Sequence, residues 1–191
     1  MVISARMSPY SPRPEPFLTA DAAARARRVK MVILDADGIL TDGSLVYPGF
    51  EGEPKIFSAL DSVGLRLAGM AGLRLAIITG RRSDALERRA AELGIEELHQ
   101  RQLWKLDAYG KVRRKYRLAD AEIAFLGDDL VDLPVMRKAG FAATVPGALP
   151  EAKRIAHFVS ARPGGRGGAR EILDFILKVQ GRWAGVAGRF L

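Results

Sequence analysis

The stretch MVILDADGILTDG, residues 31–43, is the part of the sequence that decides the fold. It begins with MVILD, a continuous apolar run that ends in a carboxylate, and this profile is typical of a buried strand in a parallel sheet. Asp35 ends the run, Asp37 follows two residues later, and Gly38 comes directly after it. Open parallel sheets bind ligands beyond the carboxyl ends of their strands, so this segment predicts both a sheet and the edge where its site lies.

The same profile recurs along the chain between segments with helical patterns. Further strands are predicted at LRLAIIT (73–79), EIAFLGDD (122–129), FAATV (141–145) and, as an edge-like strand, His157–Ser160. Helices are predicted at Ser83–Leu93, from about Asp132 to before Gly140, and at Glu171–Gln180. Strands that alternate with helices of about ten residues form right-handed crossovers. The sequence therefore predicts an α/β fold with a parallel sheet covered by helices on both faces.

The segment LVYPGFEGEPKIF, residues 45–57, breaks this alternation. Two short pieces with flanking aromatic residues, around Gly49 and Gly52, indicate a β-hairpin. We expect this hairpin to be an insertion over about residues 42–58, after the first strand.

The chain divides into one domain with extensions at both ends. Residues 1–18 contain four prolines and little apolar periodicity, which is typical of a flexible segment. The alanine- and arginine-rich stretch Thr19–Lys30 predicts a short helix. We therefore expect a leader with this helix at 1–29, an α/β domain at 30–183 and a C-terminal tail at 184–191.

The composition narrows the possible chemistry. The 191 residues are 48% hydrophobic and 27% charged, and they include no apolar run long enough for a membrane span or a secretory signal. We therefore expect a cytoplasmic protein with no membrane partner. There is no cysteine, which excludes disulfides, thiolate metal sites and a cysteine nucleophile. The only histidines are His99 and His157, which lie far apart in the sequence, and this argues against histidine-based metal sites and a Ser-His-Asp triad.

The net charge of +8 comes from the two ends of the chain. Residues 1–30 hold six basic and two acidic side chains, residues 151–191 hold eight and three, and residues 31–150 hold 16 and 17. The basic ends carry no interleaved aromatic platform and no nucleic-acid-binding motif. We therefore expect no specific nucleic acid partner.

Polar side chains follow three of the predicted strands where each strand ends. They are Asp35 and Asp37 after the first strand, Thr79, Gly80 and Arg81 after the second, and Asp128, Asp129 and Asp132 after the third. A single aspartate in such a place is more often a turn or capping residue, and Asp132 alone fits a helix cap. Several carboxylates at one edge repel each other unless a hard cation neutralises them, and Mg²⁺ leaves room for water and phosphate. The pattern predicts Mg²⁺ among Asp35, Asp128 and the backbone carbonyl of Asp37.

Carboxylates beside Mg²⁺ suit the hydrolysis of a phosphate ester. Asp35 is the candidate nucleophile that would form an aspartyl-phosphate. Asp37 is placed to protonate the leaving alcohol and then to deprotonate the attacking water. The Thr79 hydroxyl and one lysine would hold the phosphoryl group, and Lys105 is preferred because a crossover helix could begin there over the strand ends. The alternative lysines are Lys55, Lys111 and Lys115.

Four segments resemble the motifs of the haloacid dehalogenase (HAD) superfamily of phosphatases. They are DADGILTDG (Asp35–Gly43), ITGR (Ile78–Arg81), the lysine at Lys105 and GDDLVDLPVM (Gly127–Met136). Within the superfamily, residues 30–183 are most similar to the nearly capless 3-deoxy-D-manno-octulosonate 8-phosphate phosphatases, and this similarity includes PGGRGGAREI (Pro163–Ile172). The resemblance implies a Rossmann-like (HAD-like) α/β phosphatase domain in which the hairpin at 42–58 stands in place of a cap domain.

The resemblance also implies an activity, a cofactor and an assembly. The activity is Mg²⁺-dependent hydrolysis of 3-deoxy-D-manno-octulosonate 8-phosphate in lipopolysaccharide biosynthesis, with Asp35 as nucleophile and Asp37 as general acid and base. The implied Mg²⁺ ligands are Asp35, Asp37 through its carbonyl, and Asp128, with Asp129 and Asp132 in support. The implied phosphoryl contacts are Thr79 and Lys105. In this branch the hairpins assemble a homotetramer, and a neighbouring subunit helps to cover each active site.

Two stretches depart from the pattern of the branch. Leu60-Asp61-Ser62 stands where the branch usually has Arg-Asp-Gly, and Arg101–Trp104 replaces a short polar stretch before Lys105. Both lie where the sugar acid would be selected, so they bear on the substrate rather than on phosphoryl transfer. The candidate substrate contacts are Asp61, Gly80, Arg81, Ser83 and, in the glycine-rich loop, Arg166. A helix cap is the alternative role for Asp61 and Ser83, and a solvated side chain is the alternative for Arg81.

Other functions share parts of this pattern. A receiver-like domain also combines a phosphorylated aspartate, Mg²⁺, threonine and lysine, but its phosphoacceptor follows the third strand, whereas the Asp-x-Asp-Gly pair here follows the first. A non-catalytic interaction domain is a second alternative, since similar domains are found fused to sugar-nucleotide synthetases. A related phosphatase acting on a nine-carbon sugar-acid 9-phosphate is a further alternative. All of the aspartates that the phosphatase motifs require are present at the strand ends, which favours an enzyme over a non-catalytic domain.

Overall fold

The computed structural model describes residues 15–47, 54–188 and 190, and strands in these ranges form one seven-stranded sheet. The strands are β1 (Phe17–Leu18), β2 (Met31–Leu34), β3 (Arg74–Ile78), β4 (Glu97–His99), β5 (Ile123–Leu126), β6 (Phe141–Thr144) and β7 (Phe158–Val159). Their order in the sheet is β1-β7-β6-β5-β2-β3-β4. All neighbours are parallel except β1, which is antiparallel to β7. The predicted α/β, Rossmann-like parallel sheet is confirmed.

Helices connect the strands. They are α1 (Ala22–Ala26), α2 (Ala59–Met70), α3 (Asp84–Glu92), α4 (Lys105–Lys115), α5 (Leu133–Lys138), α6 (Pro150–Ile155), α7 (Gly168–Val179) and α8 (Trp183–Ala187). Helices α1, α2, α7 and α8 pack in one group, and α4, α5 and α6 pack in another. None of the helices in the described ranges combines the length and apolar character needed to cross a membrane.

The central strands β2 and β5 form the core of the sheet. Every residue of both strands is buried, which requires packed side chains on both faces and explains why these strands are apolar throughout. Leu34 lies opposite Ile77 of β3 and Leu126 of β5, so the carboxyl ends of the three strands are level. This register brings the polar residues that follow the three strands to the same edge.

Two strands are absent from the sequence prediction. β1 lies in the segment predicted as a flexible leader, and β4 lies in the connection between α3 and α4. At two and three residues these strands are too short to show a periodic pattern, although β7, also of two residues, was predicted within His157–Ser160. Because β1 pairs with β7, the last predicted strand is second from the edge and is not the edge strand.

The extensions and the insertion are described in part. The centre of the predicted hairpin, residues 48–53 with Gly49 and Gly52, lies outside the described residues, and so does the leader up to residue 14. The described flanks of the hairpin, residues 42–47 and 54–58, contain no strand. Helix α8 extends into the segment 184–191 that was predicted as a tail.

Candidate active site

Asp35 lies at the carboxyl end of β2, in the middle of the sheet. Its backbone N–H donates to the carbonyl of Leu126 in β5 at 2.9 Å, which continues the pairing of β2 and β5 one residue past the strand. The residue is 6% exposed. Oδ1 of its carboxylate lies 2.8 Å from Nζ of Lys105, so the candidate nucleophile faces a buried cation.

Lys105 reaches Asp35 from the first residue of α4 and is 2% exposed. Its Nζ also donates to Oδ1 of Asp132 at 2.6 Å. Burial by itself lowers the pKa of Lys105, but the carboxylates of Asp35 and Asp132 outweigh it and hold this pKa above its usual value. A buried ammonium persists only when it is paired in this way. Lys105 therefore brings a fixed positive charge to the site.

None of the alternative lysines contacts Asp35 in the described part of the chain. Lys115 pairs with Glu97, Lys111 is exposed on α4, and Lys55 lies at the site but contacts Asp37. The geometry therefore favours Lys105 as the lysine that holds the phosphoryl group, and this role stays a prediction.

Asp132 organises the site from the short 3-10 turn Leu130–Asp132. It is fully buried, and while Oδ1 accepts from Lys105, Oδ2 accepts the backbone N–H groups of Asp128 at 2.9 Å and Asp129 at 3.2 Å. Asp132 stands at the start of α5, but its side chain makes no capping hydrogen bond to that helix. With both oxygens occupied, Asp132 orients Lys105 and the Asp128 backbone, and its support of a metal site stays a prediction.

Two glycines allow the carboxylates to come together. Gly38 has a φ of +87°, and a Cβ at this position would stand 2.0 Å from Oδ2 of Asp128. A Cβ at Gly127 would stand 2.5 Å from Cβ of Asp132. Side chains at these two positions would therefore displace the acidic residues. Asp129, by contrast, is exposed and its side chain accepts a hydrogen bond from the N–H of Leu130 at 2.6 Å.

The electrostatics of the site favour the uptake of a cation. Burial raises the pKa of Asp35 to about 7, with repulsion from Asp132 adding to the effect and Lys105 opposing it. Burial, followed by repulsion from Asp35, raises the pKa of Asp128 to about 7. Both carboxyls ionise more readily once a positive charge is placed between them.

The oxygens that could hold the cation can be told apart from those that are already occupied. Asp35, Asp128 and Asp132 each offer one oxygen, and these oxygens lie within 4.8 Å of one another. Oδ1 of Asp128 is buried and has no hydrogen-bond partner in the described part of the chain. Because Asp132 is fully hydrogen-bonded, we interpret it as an orienting residue. Hard oxygen donors of this kind fit Mg²⁺.

The end of β3 adds Thr79, Gly80 and Arg81. Thr79 is 2% exposed, and backbone hydrogen bonds of 2.9 Å to β4 and to Gln102 hold it in place. Gly80 is exposed, and a Cβ there would meet nothing within 4 Å. Arg81 donates from Nη2 to the hydroxyl of Tyr47 at 3.3 Å, which joins it to the insertion segment. Contacts of Gly80 and Arg81 with substrate stay predictions.

Asp37 is held by two side chains that were not predicted as its partners. Nζ of Lys55 lies 2.5 Å from Oδ1 of Asp37, and the hydroxyl of Thr41 donates to the same oxygen at 3.4 Å. The motif LTDG places Thr41 four residues after Asp37, and this spacing could have suggested their contact. Lys55 has no such local signal, since it lies 18 residues away in the insertion.

The glycine-rich loop Pro163–Gly168 packs against the turn that carries Asp37. A Cβ at Gly164 would stand 1.7 Å from the carbonyl oxygen of Gly38, so this approach requires glycine. The side chain of Arg166 is 72% exposed and lies 4.0 Å from Asp42. The loop therefore supports the Asp37 turn, and the contact of Arg166 with an anionic substrate stays a prediction.

Asp61 and Ser83 act as helix-capping residues. Asp61 is 2% exposed, and its oxygens accept the backbone N–H groups of Gly167 at 3.0 Å and Arg170 at 2.9 Å, at the start of α7. Burial raises the pKa of Asp61 although these hydrogen bonds oppose the shift. Ser83 accepts the N–H of Leu86 at the start of α3. The capping alternative is thus observed for both residues, and their contact with substrate stays a prediction.

Comparisons with known proteins identify relatives with the same fold. No protein-family model matches the chain. It is 42% identical over 166 residues to the 3-deoxy-D-manno-octulosonate 8-phosphate phosphatase KdsC of Escherichia coli K12, covering 86% of this chain and 88% of that protein. The structure of a 3-deoxy-D-manno-octulosonate 8-phosphate phosphatase from Moraxella catarrhalis, in complex with magnesium, phosphate and KDO, matches with a TM-score of 0.87 and 36% identity over 90% of this chain and 98% of that one. A Legionella pneumophila structure described as a HAD superfamily hydrolase matches with a TM-score of 0.86 and 34% identity, over 89% and 93%.

The sheet, the acidic strand ends and these neighbours define a hydrolase of the HAD superfamily. The sequence identity to these relatives, which extends over most of both chains, also identifies the family within the superfamily. The chain belongs to the 3-deoxy-D-manno-octulosonate 8-phosphate phosphatase family. The resemblance based on Asp35–Gly43, Ile78–Arg81 and Gly127–Met136 is confirmed.

Proposed function

We propose that the protein is a Mg²⁺-dependent phosphatase that converts 3-deoxy-D-manno-octulosonate 8-phosphate to 3-deoxy-D-manno-octulosonate and phosphate, for lipopolysaccharide biosynthesis. The observation that carries the proposal is the pairing of Asp35 with the buried Lys105 at 2.8 Å, beside the carboxylate of Asp128. A nucleophile, a fixed cation and a place for a divalent metal at one strand end are the parts that phosphoryl transfer requires.

In the first step, a carboxylate oxygen of Asp35 forms a bond to phosphorus while the bond between phosphorus and the sugar oxygen breaks. The leaving oxygen takes a proton from Asp37 and departs as the alcohol. Lys105 and Thr79 bind the phosphoryl oxygens, over which negative charge is spread in the transition state. The product is an aspartyl-phosphate on Asp35.

In the second step, Asp37 takes a proton from a water molecule, whose oxygen attacks the phosphorus of the aspartyl-phosphate. The bond from phosphorus to Asp35 breaks, which releases inorganic phosphate and restores the carboxylate. Asp37 ends the cycle protonated and ready for the next leaving group. The division into two steps replaces one difficult hydrolysis by two easier displacements.

The groups suited to hold Mg²⁺ are the carboxylates of Asp35 and Asp128 and the backbone carbonyl of Asp37, with Asp129 and Asp132 supporting them. When bound, Mg²⁺ supplies positive charge that offsets the carboxylates and the phosphoryl oxygens. Oδ2 of Asp132 accepts the backbone N–H of Asp128 at 2.9 Å. This hydrogen bond fixes the position of Asp128, a proposed metal ligand, before the cation binds. Such outer hydrogen bonds set the affinity of metal sites.

The test is phosphate release, with Mg²⁺, from a panel of esters. The panel contains the eight-carbon octulosonate 8-phosphate, a nine-carbon sugar-acid 9-phosphate and hexose phosphates. We expect kcat/KM to be highest for the eight-carbon ester by a wide margin. A preference for the nine-carbon ester would reassign the substrate, and a flat profile would indicate an unspecific phosphatase. Asp35→Asn should abolish release from every ester, whereas Asp84→Asn, at an exposed carboxylate on α3, should not.

We also infer that the protein works as a homotetramer in the cytoplasm. The support is apolar surface beside Lys105, where Leu103, Trp104 and Leu130 are 60%, 80% and 56% exposed. A neighbouring subunit that covers the site would bury this surface. Light scattering on protein eluting from a size-exclusion column should give a mass four times the chain mass of 20.8 kDa. Trp104→Glu should lower this mass. A wild-type monomer at micromolar concentration would contradict this assembly.

A further inference from the structure

Lys55 belongs to the insertion segment, and its charged side chain is buried against the turn that carries Asp37. The chain around it is anchored, since Phe57 packs on the core and Ser58 caps α2 by accepting the N–H of Leu60 at 3.2 Å. The Lys55 side chain is 3% exposed, and its ammonium lies 2.5 Å from Oδ1 of Asp37. Burying a lysine is costly, so a lysine held in this way over a reacting carboxylate calls for a function.

The two oxygens of Asp37 have different environments. Oδ1 faces Lys55 at 2.5 Å and the Thr41 hydroxyl at 3.4 Å. Oδ2 has no hydrogen-bond partner in the described part of the chain. One oxygen is therefore held, while the other is left to exchange a proton with the leaving alcohol or with water. Without Lys55, rotation about χ2 would interchange the two oxygens, because this torsion is broad and roughly two-fold.

We propose that Lys55 is a positioning residue that holds the Asp37 carboxylate so that Oδ2 faces the leaving oxygen. This inference rests on the proposed phosphatase function but not on the identity of the sugar acid. It gives the insertion segment a role in the chemical step within each subunit. Lys55 acts through Asp37 and has no other part in the transfer of the phosphoryl group.

Leaving groups of different acidity separate this role from a general loss of activity. An alkyl phosphate needs a proton from Asp37 as its oxygen leaves, whereas p-nitrophenyl phosphate releases a stable phenolate and does not. The ratio kcat/KM reports events up to the formation of the aspartyl-phosphate, so it excludes the later use of Asp37 as a base. We expect Lys55→Met to lower kcat/KM for the alkyl ester by about 10- to 100-fold, since acid catalysis contributes about 10²- to 10⁴-fold. For p-nitrophenyl phosphate the change should be within about three-fold.

A double-mutant cycle tests whether Lys55 acts through Asp37. Asp37→Asn should show the same dependence on the leaving group, and adding Lys55→Met to it should cause no further loss on the alkyl ester. Lys55→Arg should recover part of the activity, and Lys111→Met, at an exposed lysine of α4, is the matched control. Equal losses on both esters, or a full additional loss in the double variant, would overturn the proposal.

A structural measurement gives a readout besides activity. In a crystal structure of Lys55→Met we expect the Asp37 carboxylate to rotate or to occupy two orientations while its backbone is unchanged. An unaltered Asp37 side chain would overturn the proposal. If Lys55→Met does not fold, Lys55→Gln serves in the same measurements. Should the octulosonate ester prove not to be the substrate, any alkyl phosphate that the wild type hydrolyses still tests Lys55, so the two failures are distinguishable.

Discussion

Replacing Asp128 by asparagine should make the metal-free protein more stable at pH 8, although it removes a ligand from the site. The carboxyl of Asp128 lies within 4.8 Å of Asp35 and Asp132 in the acidic cluster, and its Oδ1 accepts no hydrogen bond from the described residues. When no cation is present, its ionisation is therefore opposed by burial and by like charge. An amide has nearly the same shape and carries no charge, so Asp128→Asn removes this cost.

The magnitude follows from the pKa. Burial, followed by repulsion from Asp35, raises the pKa of Asp128 from 3.8 to about 7. Between these two pH values the unfolded chain has released its proton while the folded protein keeps it, so the free energy of unfolding falls as the pH rises through this window. Three pH units at about 1.4 kcal/mol each correspond to about 4 kcal/mol at pH 8. The free energies of unfolding of wild type and Asp128→Asn should therefore differ little at pH 4 and by up to about 4 kcal/mol above pH 7.

Urea unfolding in the presence of EDTA, at half-unit steps from pH 4 to pH 8, measures this difference. Asp84→Asn, at an exposed carboxylate, is the control and should follow the wild type throughout. Added Mg²⁺ should stabilise the wild type more at pH 8 than at pH 5, because protons compete with the cation, and it should hardly stabilise Asp128→Asn. A variant that is no more stable than the wild type at pH 8 would refute the reasoning.

Three further substitutions probe the site. Asp35→Asn should lower kcat by about 10³-fold or more for every phosphate ester while circular dichroism stays unchanged, and a smaller loss would contradict its role as nucleophile. Gly38→Ala puts a Cβ 2.0 Å from Oδ2 of Asp128 at a φ of +87°, so it should cost about 1–3 kcal/mol in thermal unfolding and weaken Mg²⁺ binding in calorimetry. Asp61→Ala should destabilise the protein by about 1–2 kcal/mol through α7 and leave KM within about two-fold. A large rise in KM would make Asp61 a substrate contact instead.

The parts of the site that the sequence could predict are those carried by strand ends. Asp35, Thr79 and Asp128 each follow a buried apolar run, and parallel strands in register bring such positions together. The Asp-x-Asp-Gly turn could also be predicted from the sequence, because a glycine directly after the second aspartate marks a turn. The structure explains this glycine, since Gly38 has a φ of +87° and Asp128 approaches it closely. Local pattern and topology were therefore sufficient for the nucleophile and the metal ligands to be proposed.

The parts that could not be predicted depend on contacts between distant segments. Lys105 was one of four lysines until the structure placed it 2.8 Å from Asp35 and 2.6 Å from Asp132. The contact of Lys55 with Asp37 spans the insertion, where no periodic pattern constrains the path of the chain. The capping role of Asp61 links α2 to the start of α7, more than one hundred residues away. Hydrophobic periodicity cannot encode such pairings.

The charges around the strand ends explain why a divalent cation belongs there before the substrate. Besides the exposed Asp129, four acidic side chains lie at this edge, Asp35, Asp37, Asp128 and Asp132, and the ammonium groups of Lys105 and Lys55 are paired with them. When these four carboxyls and two ammonium groups are all ionised, which a bound cation favours, two negative charges are left and one Mg²⁺ offsets them. A phosphate dianion would therefore meet more repulsion at the edge without the cation than with it. The net charge of +8, which comes from the ends of the chain, therefore describes the surface, whereas the reaction depends on the balance of these few buried groups.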